Sequence, residues 1–131
     1  MAQSTVIQVS GAVAAMPAAG SLYTASLQEF LALSTQATYG AAKGGAISVN
    51  STDLAPFVLP LEGIAKGRMI GIGLISGQTI KVLLTTALGV DQAIPVSDKL
   101  FLHMPSAGDE FTAVKLVGVA DIQYFLAGDV T

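Results

Sequence analysis

The chain has 131 residues and a formal net charge of −3, and 11% of its residues are charged while 52% are hydrophobic. This length is typical of a single domain that buries about two-thirds of its unfolded surface. The acidic balance excludes an electrostatic footprint for nucleic acid, and the lack of cysteine excludes disulfides, a thiolate nucleophile and cysteine-based zinc sites. No apolar run of about 18 residues occurs, so the sequence predicts no membrane-spanning helix.

The first 42 residues carry one formal charge, that of Glu29, and are rich in small side chains. Residues 4–10 alternate between polar and apolar side chains and indicate a strand. Residues 11–20, GAVAAMPAAG, offer too little side-chain volume to offset the entropy of ordering them. We therefore expect residues 1–20 to form an extended arm that lies on a neighbouring subunit, and residues 21–131 to form the folded domain.

The next segments mix helix, loop and strand signals. A short helix is predicted near residues 26–33, where Ser26 and Glu29 have the spacing of a capping box, although alternating apolar residues there also permit a strand. Residues 37–45 are glycine-rich and predict a loop. Strands are expected at residues 46–51 and 55–61, the second of them at a sheet edge because it contains two prolines.

The most regular stretch is GRMIGIGLISGQTIKVLLT, residues 67–85. Its period of two predicts a β-hairpin with Ser76-Gly77-Gln78 as its loop. Gly71 and Gly73 lie on the opposite face and are expected to leave room for another backbone. Two aliphatic triplets define the core-facing side of this hairpin: Ile70, Ile72 and Leu74 in its first strand, then Ile80, Val82 and Leu84 in its second.

The last third of the chain continues the strand pattern. A turn-rich connection at residues 87–96 leads to an alternating segment at residues 99–104, and residues 111–127 predict a final pair of strands. Seven or eight short strands at roughly ten-residue spacing, without βαβ alternation, favour an all-β fold. The predicted architecture is an antiparallel β-sandwich or jelly roll with the extended N-terminal arm and at most one short helix.

Residues capable of chemistry are few and scattered. His103, the only histidine, is predicted to have a structural or surface role. Asp109 and Glu110 are predicted to form a solvated turn, and Tyr39 is either an exposed contact or buried. Arg68 is predicted to lie at a solvated strand end, with an acidic partner surface as the alternative. The sequence therefore predicts no catalytic residue, no metal site and no cofactor, and hence no enzyme.

A resemblance to a known class of proteins enters through the C-terminal half. GRMIGIGLISGQTIKVLL and KLVGVADIQYFLAGD, together with the weakly charged, alanine- and glycine-rich N-terminal part, resemble small virion proteins of tailed bacteriophages. The resemblance implies a non-enzymatic subunit of a symmetric shell or tail, first a capsid decoration or cement protein and second a tail or head–tail connector subunit. The implied partners are copies of the chain and other virion proteins such as the major capsid protein, without nucleic acid or membrane.

Localisation and the remaining alternatives complete the expectations. The N-terminus MAQSTVIQVSG lacks the basic region and long apolar core of a signal peptide, so we expect synthesis in the cytoplasm. The resemblance implies that this is the host cytoplasm and that the final place of the protein is the virion. A carbohydrate-binding jelly-roll module is the alternative from another class, and it would require exposed aromatic rings side by side. An enzyme would require a cluster of titratable groups in a cleft.

Overall fold

The computed structural model describes residues 5–15 and 28–130, and every regular element in them is a β-strand. The described part of the chain contains no helix long and apolar enough to cross a membrane. The predicted all-β fold is confirmed. The nine strands of these residues are, in chain order, β1 (Thr5–Ala15), β2 (Gln28–Tyr39), β3 (Ala41–Ser51), β4 (Phe57–Leu59), β5 (Lys66–Gly77), β6 (Ile80–Thr86), β7 (Asp91–Val96), β8 (Lys99–His103) and β9 (Phe111–Asp129).

The chain divides into two compact units. In the first unit, residues 6–38, β1 and β2 form a two-stranded sheet. The second unit comprises residues 1–5 and 39–131 and contains the antiparallel sheet of the other seven strands. The predicted end of the N-terminal arm at Gly20 lies outside the described residues, while residues 5–15 of that predicted arm form β1.

The seven-stranded sheet is organised around β9, a strand of 19 residues. Strands β3 and β4 follow one another along one edge of β9, and β5 and β6 follow one another along its other edge. Strands β7 and β8 then pair with the outer edges of β6 and β5. The sheet therefore consists of four long antiparallel paths, three of which are interrupted near the middle.

All four paths bend at about the same level, which folds the sheet into two layers. Layer A consists of β3, β5, β8 and residues 118–129 of β9, and layer B consists of β4, β6, β7 and residues 111–117 of β9. Buried side chains from both layers form one hydrophobic cluster, so the layers pack face to face as in a β-sandwich. The largest contributors are Ile70, Ile122 and Leu126 from layer A, and Leu59, Ile80, Leu116 and Phe111 from layer B.

Two of the bends depend on glycine. Gly118 in β9 and Gly77 at the end of β5 have φ values of +133° and +108°, which L-residues with a side chain rarely adopt. A Cβ atom at Gly77 would also lie 2.6 Å from the Cα atom of Ala120. The division of β9 between two layers therefore relies on positions that tolerate no side chain.

The predicted hairpin of residues 67–85 is wrong in its pairing. In the described sheet both β5 and β6 pair with β9 and not with each other. Strand β5 pairs along the C-terminal half of β9 and also, through Gly67, with Phe111 at its start, whereas β6 pairs along the N-terminal half. The chain bends at Gly77 and continues along β9 instead of reversing. The predicted core-facing side is confirmed, since all six of its aliphatic residues belong to the core or pack against it: Ile70, Ile72, Leu74, Ile80, Val82 and Leu84.

The expected close approach of a backbone at Gly71 and Gly73 does not occur within the described chain. A Cβ atom at Gly73 would meet only the Lys99 side chain, at 3.9 Å, which is an ordinary contact distance. Close packing occurs instead at Gly67, where a Cβ atom would collide with the ring of Phe111.

The helix predicted near residues 26–33 is wrong for residues 28–33, which belong to β2, and residues 26–27 lie outside the described part. Apolar–polar alternation prevailed over the capping-box spacing because this segment pairs with β1. The loop predicted at residues 37–45 is also wrong. These residues end β2 and begin β3, and only Gly40 separates the two strands.

Four predicted strands are confirmed with shifted bounds: residues 4–10 in β1, 46–51 in β3, 55–61 in β4 and 99–104 in β8. As its prolines indicated, β4 is an edge strand that pairs with β9 alone among the described strands. The connection at residues 87–96 contains an unpredicted strand, β7. The pair predicted at residues 111–127 is the single strand β9, because Gly118 bends the chain without reversing it.

Candidate functional site

Arg68 lies at the centre of a buried polar cluster on β5, with 7% of its surface exposed. Its Nε donates a hydrogen bond to Asp129 Oδ2 at 3.0 Å, and its Nη1 donates to the Ser106 carbonyl at 2.7 Å. The same Nη1 lies 3.4 Å from Glu110 Oε2. The prediction of a solvated strand end is therefore wrong. Because Glu110 directly precedes β9 and Asp129 ends it, one guanidinium joins both ends of the central strand.

Glu110 belongs to this cluster, whereas its neighbour Asp109 is exposed as predicted. The Glu110 carboxylate accepts a hydrogen bond from the Gly108 amide at 2.6 Å. The hydrogen bond from its own backbone amide is the largest influence on its pKa. Together with the Gly108 amide and the Arg68 charge, it outweighs burial and lowers the pKa of the Glu110 carboxyl. The prediction that this residue belongs to a solvated turn is wrong.

Tyr39 and His103 form a second polar contact in the same unit. The Tyr39 hydroxyl shares a hydrogen bond of 2.6 Å with His103 Nε2, and the two rings meet edge to face with their centroids 6.0 Å apart. Burial raises the pKa of the Tyr39 hydroxyl, while the charges of Arg68 and Asp129 act in opposite directions. The half-buried His103 ring thus fastens the start of this unit to β8, in line with its predicted structural role.

These polar groups are occupied with one another. Both carboxylates of the cluster face the Arg68 guanidinium, and no buried side-chain nitrogen or oxygen in the described residues lacks a hydrogen-bond partner. The described part of the chain also has no group of three or more histidine, cysteine or acidic residues that could hold a metal ion. The chemistry that this arrangement supports is the fastening of chain segments.

A cavity of about 580 Å³ opens between the layers beside the loop that follows β8. Its walls are mostly apolar, and its few polar side chains include the exposed Asp109 and Gln92. Its volume is that of a small-molecule pocket, but small-molecule sites also have polar groups that converge on the ligand. The few polar side chains here do not indicate such a site. The apolar lining comprises Leu84, Leu88, Val90, Ile94, Leu102, Met104, Pro105 and Phe111.

The outer faces of the two layers differ in whether their charged side chains form ion pairs. On layer B, Lys81 is 2.6 Å from Asp53 and Lys115 is 4.0 Å from Asp91. On layer A, Asp121 accepts hydrogen bonds from two serines, and Lys99 forms no ion pair within the described residues.

The layer A surface consists of three rows of residues on the outward side of β3, β9, β5 and β8, and it excludes the adjoining row, in which Met69 and Ala127 are fully buried. The side chains of the three rows are small or neutral apart from two charged ones. Strand register places Gly44, Phe125, Gly71 and Phe101 in one row, and Ala46, Gln123, Gly73 and Lys99 in the next row. Ser48, Asp121 and Ser76 form a third row, with Ile75 and Val119 beside it.

Large apolar side chains project from this surface. Ile75, Val119 and Phe101 are 57%, 55% and 42% exposed. The sequence analysis missed this surface because alternation identifies which side of a strand faces the core but not which outward residues become neighbours. The available signal was the near absence of charge in the alternate positions of residues 41–51 and 67–77.

Comparisons with known proteins add no relative. No model of a protein family matches the chain, and neither a curated protein nor a solved structure is significantly similar to it. The implied relationship to phage virion proteins therefore stays a prediction, and the arguments about function begin from the surfaces of this chain.

Proposed function

We propose that the chain is a non-enzymatic structural subunit of a phage particle that acts as a capsid decoration or cement protein. The layer A surface is the observation that supports this proposal most directly. It is four strands wide, exposes Ile75, Val119 and Phe101, and includes only one acidic and one basic side chain. Removing such a surface from water buries apolar area at little cost in desolvated charge.

Other exposed apolar residues point the same way. Leu54 and Leu88 occupy turns and are 98% and 87% exposed. In a symmetric particle each modest contact recurs in every copy, so weak interfaces accumulate into a stable shell.

The first unit, residues 6–38, also suits a role in assembly. Its described part is the two-stranded sheet of β1 and β2, and a sheet of two strands is marginally stable by itself. Glu29 is the one charged residue in this part of the sequence. An element with a single charged residue buries little charge, and it gains stability when it lies on a neighbouring subunit.

The first experiment is the mass of the purified chain in solution, measured by light scattering at two concentrations. A discrete oligomer is expected. A deletion of residues 1–38 should reduce the assembly to smaller species while circular dichroism still reports a folded β-protein, since the seven-stranded unit holds the core. A truncated chain that assembles as the full chain does would contradict the role of the first unit.

A tail or head–tail connector subunit is the alternative within the same class, and binding to purified capsids distinguishes a decoration protein from it. The carbohydrate-binding alternative requires two aromatic rings side by side on the surface. The ring contact found among the described residues pairs Tyr39 with His103, and both are half-buried. The geometry therefore favours a structural subunit over a sugar-binding module.

A further inference from the structure

We propose that two copies of the chain pair face to face through their layer A surfaces, about a two-fold axis that crosses β5 near Gly73. This inference rests on the proposed function, because it names the contact through which two subunits meet. Its basis is the position of the two charged side chains of the layer A surface relative to the residues between them.

Asp121 and Lys99 lie on opposite sides of β5. Asp121 is on β9, in register with Ser76, and Lys99 is on β8, in register with Gly73. The two-fold axis lies in the plane of the contact and crosses the line from Asp121 to Lys99 at its midpoint, at a right angle. Rotation about this axis brings each Asp121 opposite Lys99 of the second copy. A two-fold axis makes this pairing twice, so the surface is complementary in charge to itself.

Both groups are ready for such a pairing. Hydrogen bonds from Ser48 and Ser76, at 2.6 and 3.1 Å, hold the Asp121 carboxylate in place. The same bonds lower the pKa of Asp121, so the side chain is ionised at neutral pH. Lys99 lies along the sheet surface, with its Cγ 3.9 Å from the Cβ position of Gly73, and its charge has no partner among the described residues.

The relief of the surface fits a second copy of itself. Gly71 and Gly73 leave the centre low, and a Cβ atom at either position would meet no atom of the described chain nearer than 3.9 Å. Phe101 stands at one side, and β3 at the other side carries Gly44, Ala46 and Ser48 in the corresponding rows. The rotation that exchanges Asp121 and Lys99 moves Phe101 over the small side chains of β3 in the second copy.

The area is sufficient for a specific but modest contact. Four strands about 4.8 Å apart and about eight residues long at about 3.3 Å each cover roughly 500 Å² per copy. The total of about 1,000 Å² lies at the lower limit of specific interfaces, where affinity is weak until other contacts add to it. Layer B offers no equivalent, because its two lysines are already matched by Asp53 and Asp91 in the same chain.

The test is a charge exchange on the full chain. Asp121→Lys and Lys99→Asp each place like charges opposite one another twice, so each variant alone is expected to weaken the layer A pairing at least tenfold and to sediment as a smaller species than the wild type. An equimolar mixture of the two variants should form a heterodimer, because each copy then faces the opposite charge at both contacts. Asp91→Lys is the matched control on layer B and should leave the wild-type mass unchanged.

Gly73→Leu provides a second test that does not depend on charge. A Cβ atom at this position meets only Lys99, at an ordinary contact distance, and the added bulk lies at the proposed axis. We expect a protein that is folded by circular dichroism and sediments as a smaller species than the wild type.

The outcomes separate this inference from the proposed function. If Asp121→Lys, Lys99→Asp and Gly73→Leu all have the same mass in solution as the wild-type oligomer, the face-to-face pairing is wrong. Assembly through other surfaces is then still supported. A wild-type chain that is monomeric but binds capsids also overturns the pairing alone. A monomer that binds neither itself nor capsids or tails overturns both proposals.

Discussion

Layers A and B share a central strand and one core, yet the charged side chains on their outer faces are arranged differently. The inner faces are equivalent, with aliphatic residues from both layers in a single cluster. On the outer face of layer B, two lysines are balanced by aspartates of the same chain. On layer A, Lys99 has no such partner and Asp121 is held by serines. The inner pattern determines the fold, and the proposed pairing uses the outer face on which charges are not matched by ion pairs within the described residues.

The edges of the layers differ in the same sense. In layer B, β7 contains Pro95, and β4 is three residues long and lies between Pro56 and Pro60, which discourages further strand pairing. In layer A, β3 is an edge strand of 11 residues without proline among the described strands, and its pairing with β9 has no irregularity. Proline thus protects the edges of layer B and not the β3 edge of layer A.

The largest effect on both layers is expected when the link between the two ends of β9, the strand that they share, is removed. Arg68→Met removes the cation that joins Glu110 to Asp129 and leaves a buried carboxylate without its counter-charge. Removing one partner of a buried ion pair is strongly destabilising, so we expect a loss of about 3 kcal/mol in the free energy of unfolding. Urea denaturation followed by circular dichroism measures it.

The matched control for that variant is Lys81→Met, which removes a cation from the exposed pair with Asp53 on layer B. Exposed pairs contribute between zero and about 1 kcal/mol, so the expected loss is several times smaller. Equal losses in the two variants would contradict the assignment of Arg68 as the link between the ends of β9.

A smaller effect is expected at the bend between the layers. Gly77→Ala introduces a Cβ atom 2.6 Å from the Ala120 Cα and places it on a residue with φ of +108°. Backbone strain of this kind costs about 1–3 kcal/mol. Gly73→Ala on the same strand meets no close backbone and should change the stability by less than about 0.5 kcal/mol. Thermal unfolding of both variants compares them, and a Gly77→Ala protein as stable as Gly73→Ala would refute the strained bend.

The sequence predicted the core side of β5 and β6 because alternation is a local property, and Ile70 and Ile80 are buried as expected. It did not predict the pairing of these strands. Ser76-Gly77-Gln78 permits either a reversal or a bend, and the choice depends on β9, which begins more than 30 residues further along the chain. Only the complete sheet decides between the two.

Arg68 illustrates a different kind of failure. Its position has the same parity as Ile70 and Ile72, so the pattern that identified the core side also placed this charge on it. The missing information was the identity of the carboxylates that make burial tolerable, because Glu110 and Asp129 lie 42 and 61 residues away. The layer A surface could not be predicted for a similar reason, since its rows require the register of four strands.

The smallest expected effect is the contribution of the Asp121 carboxyl, on layer A, to the dependence of stability on pH. Hydrogen bonds from Ser48 and then Ser76 outweigh burial and lower the pKa of its carboxyl from the ordinary value of 3.8. A lowered pKa contributes stability that is complete above the ordinary value and is lost as the pH falls through the lowered one. Asp121→Asn should therefore weaken the dependence of the urea midpoint on pH below about 4, measured at a concentration where the chain is monomeric.

The serines provide the control for this last prediction. Replacing both of them, Ser48→Ala with Ser76→Ala, keeps the carboxyl but removes the hydrogen bonds that lower its pKa. This double variant should show the same weaker dependence on pH as Asp121→Asn. An Asp121→Asn protein with the wild-type dependence would mean that the serines do not hold the carboxylate, and the charge that layer A presents to a second copy would then lack its fixed position.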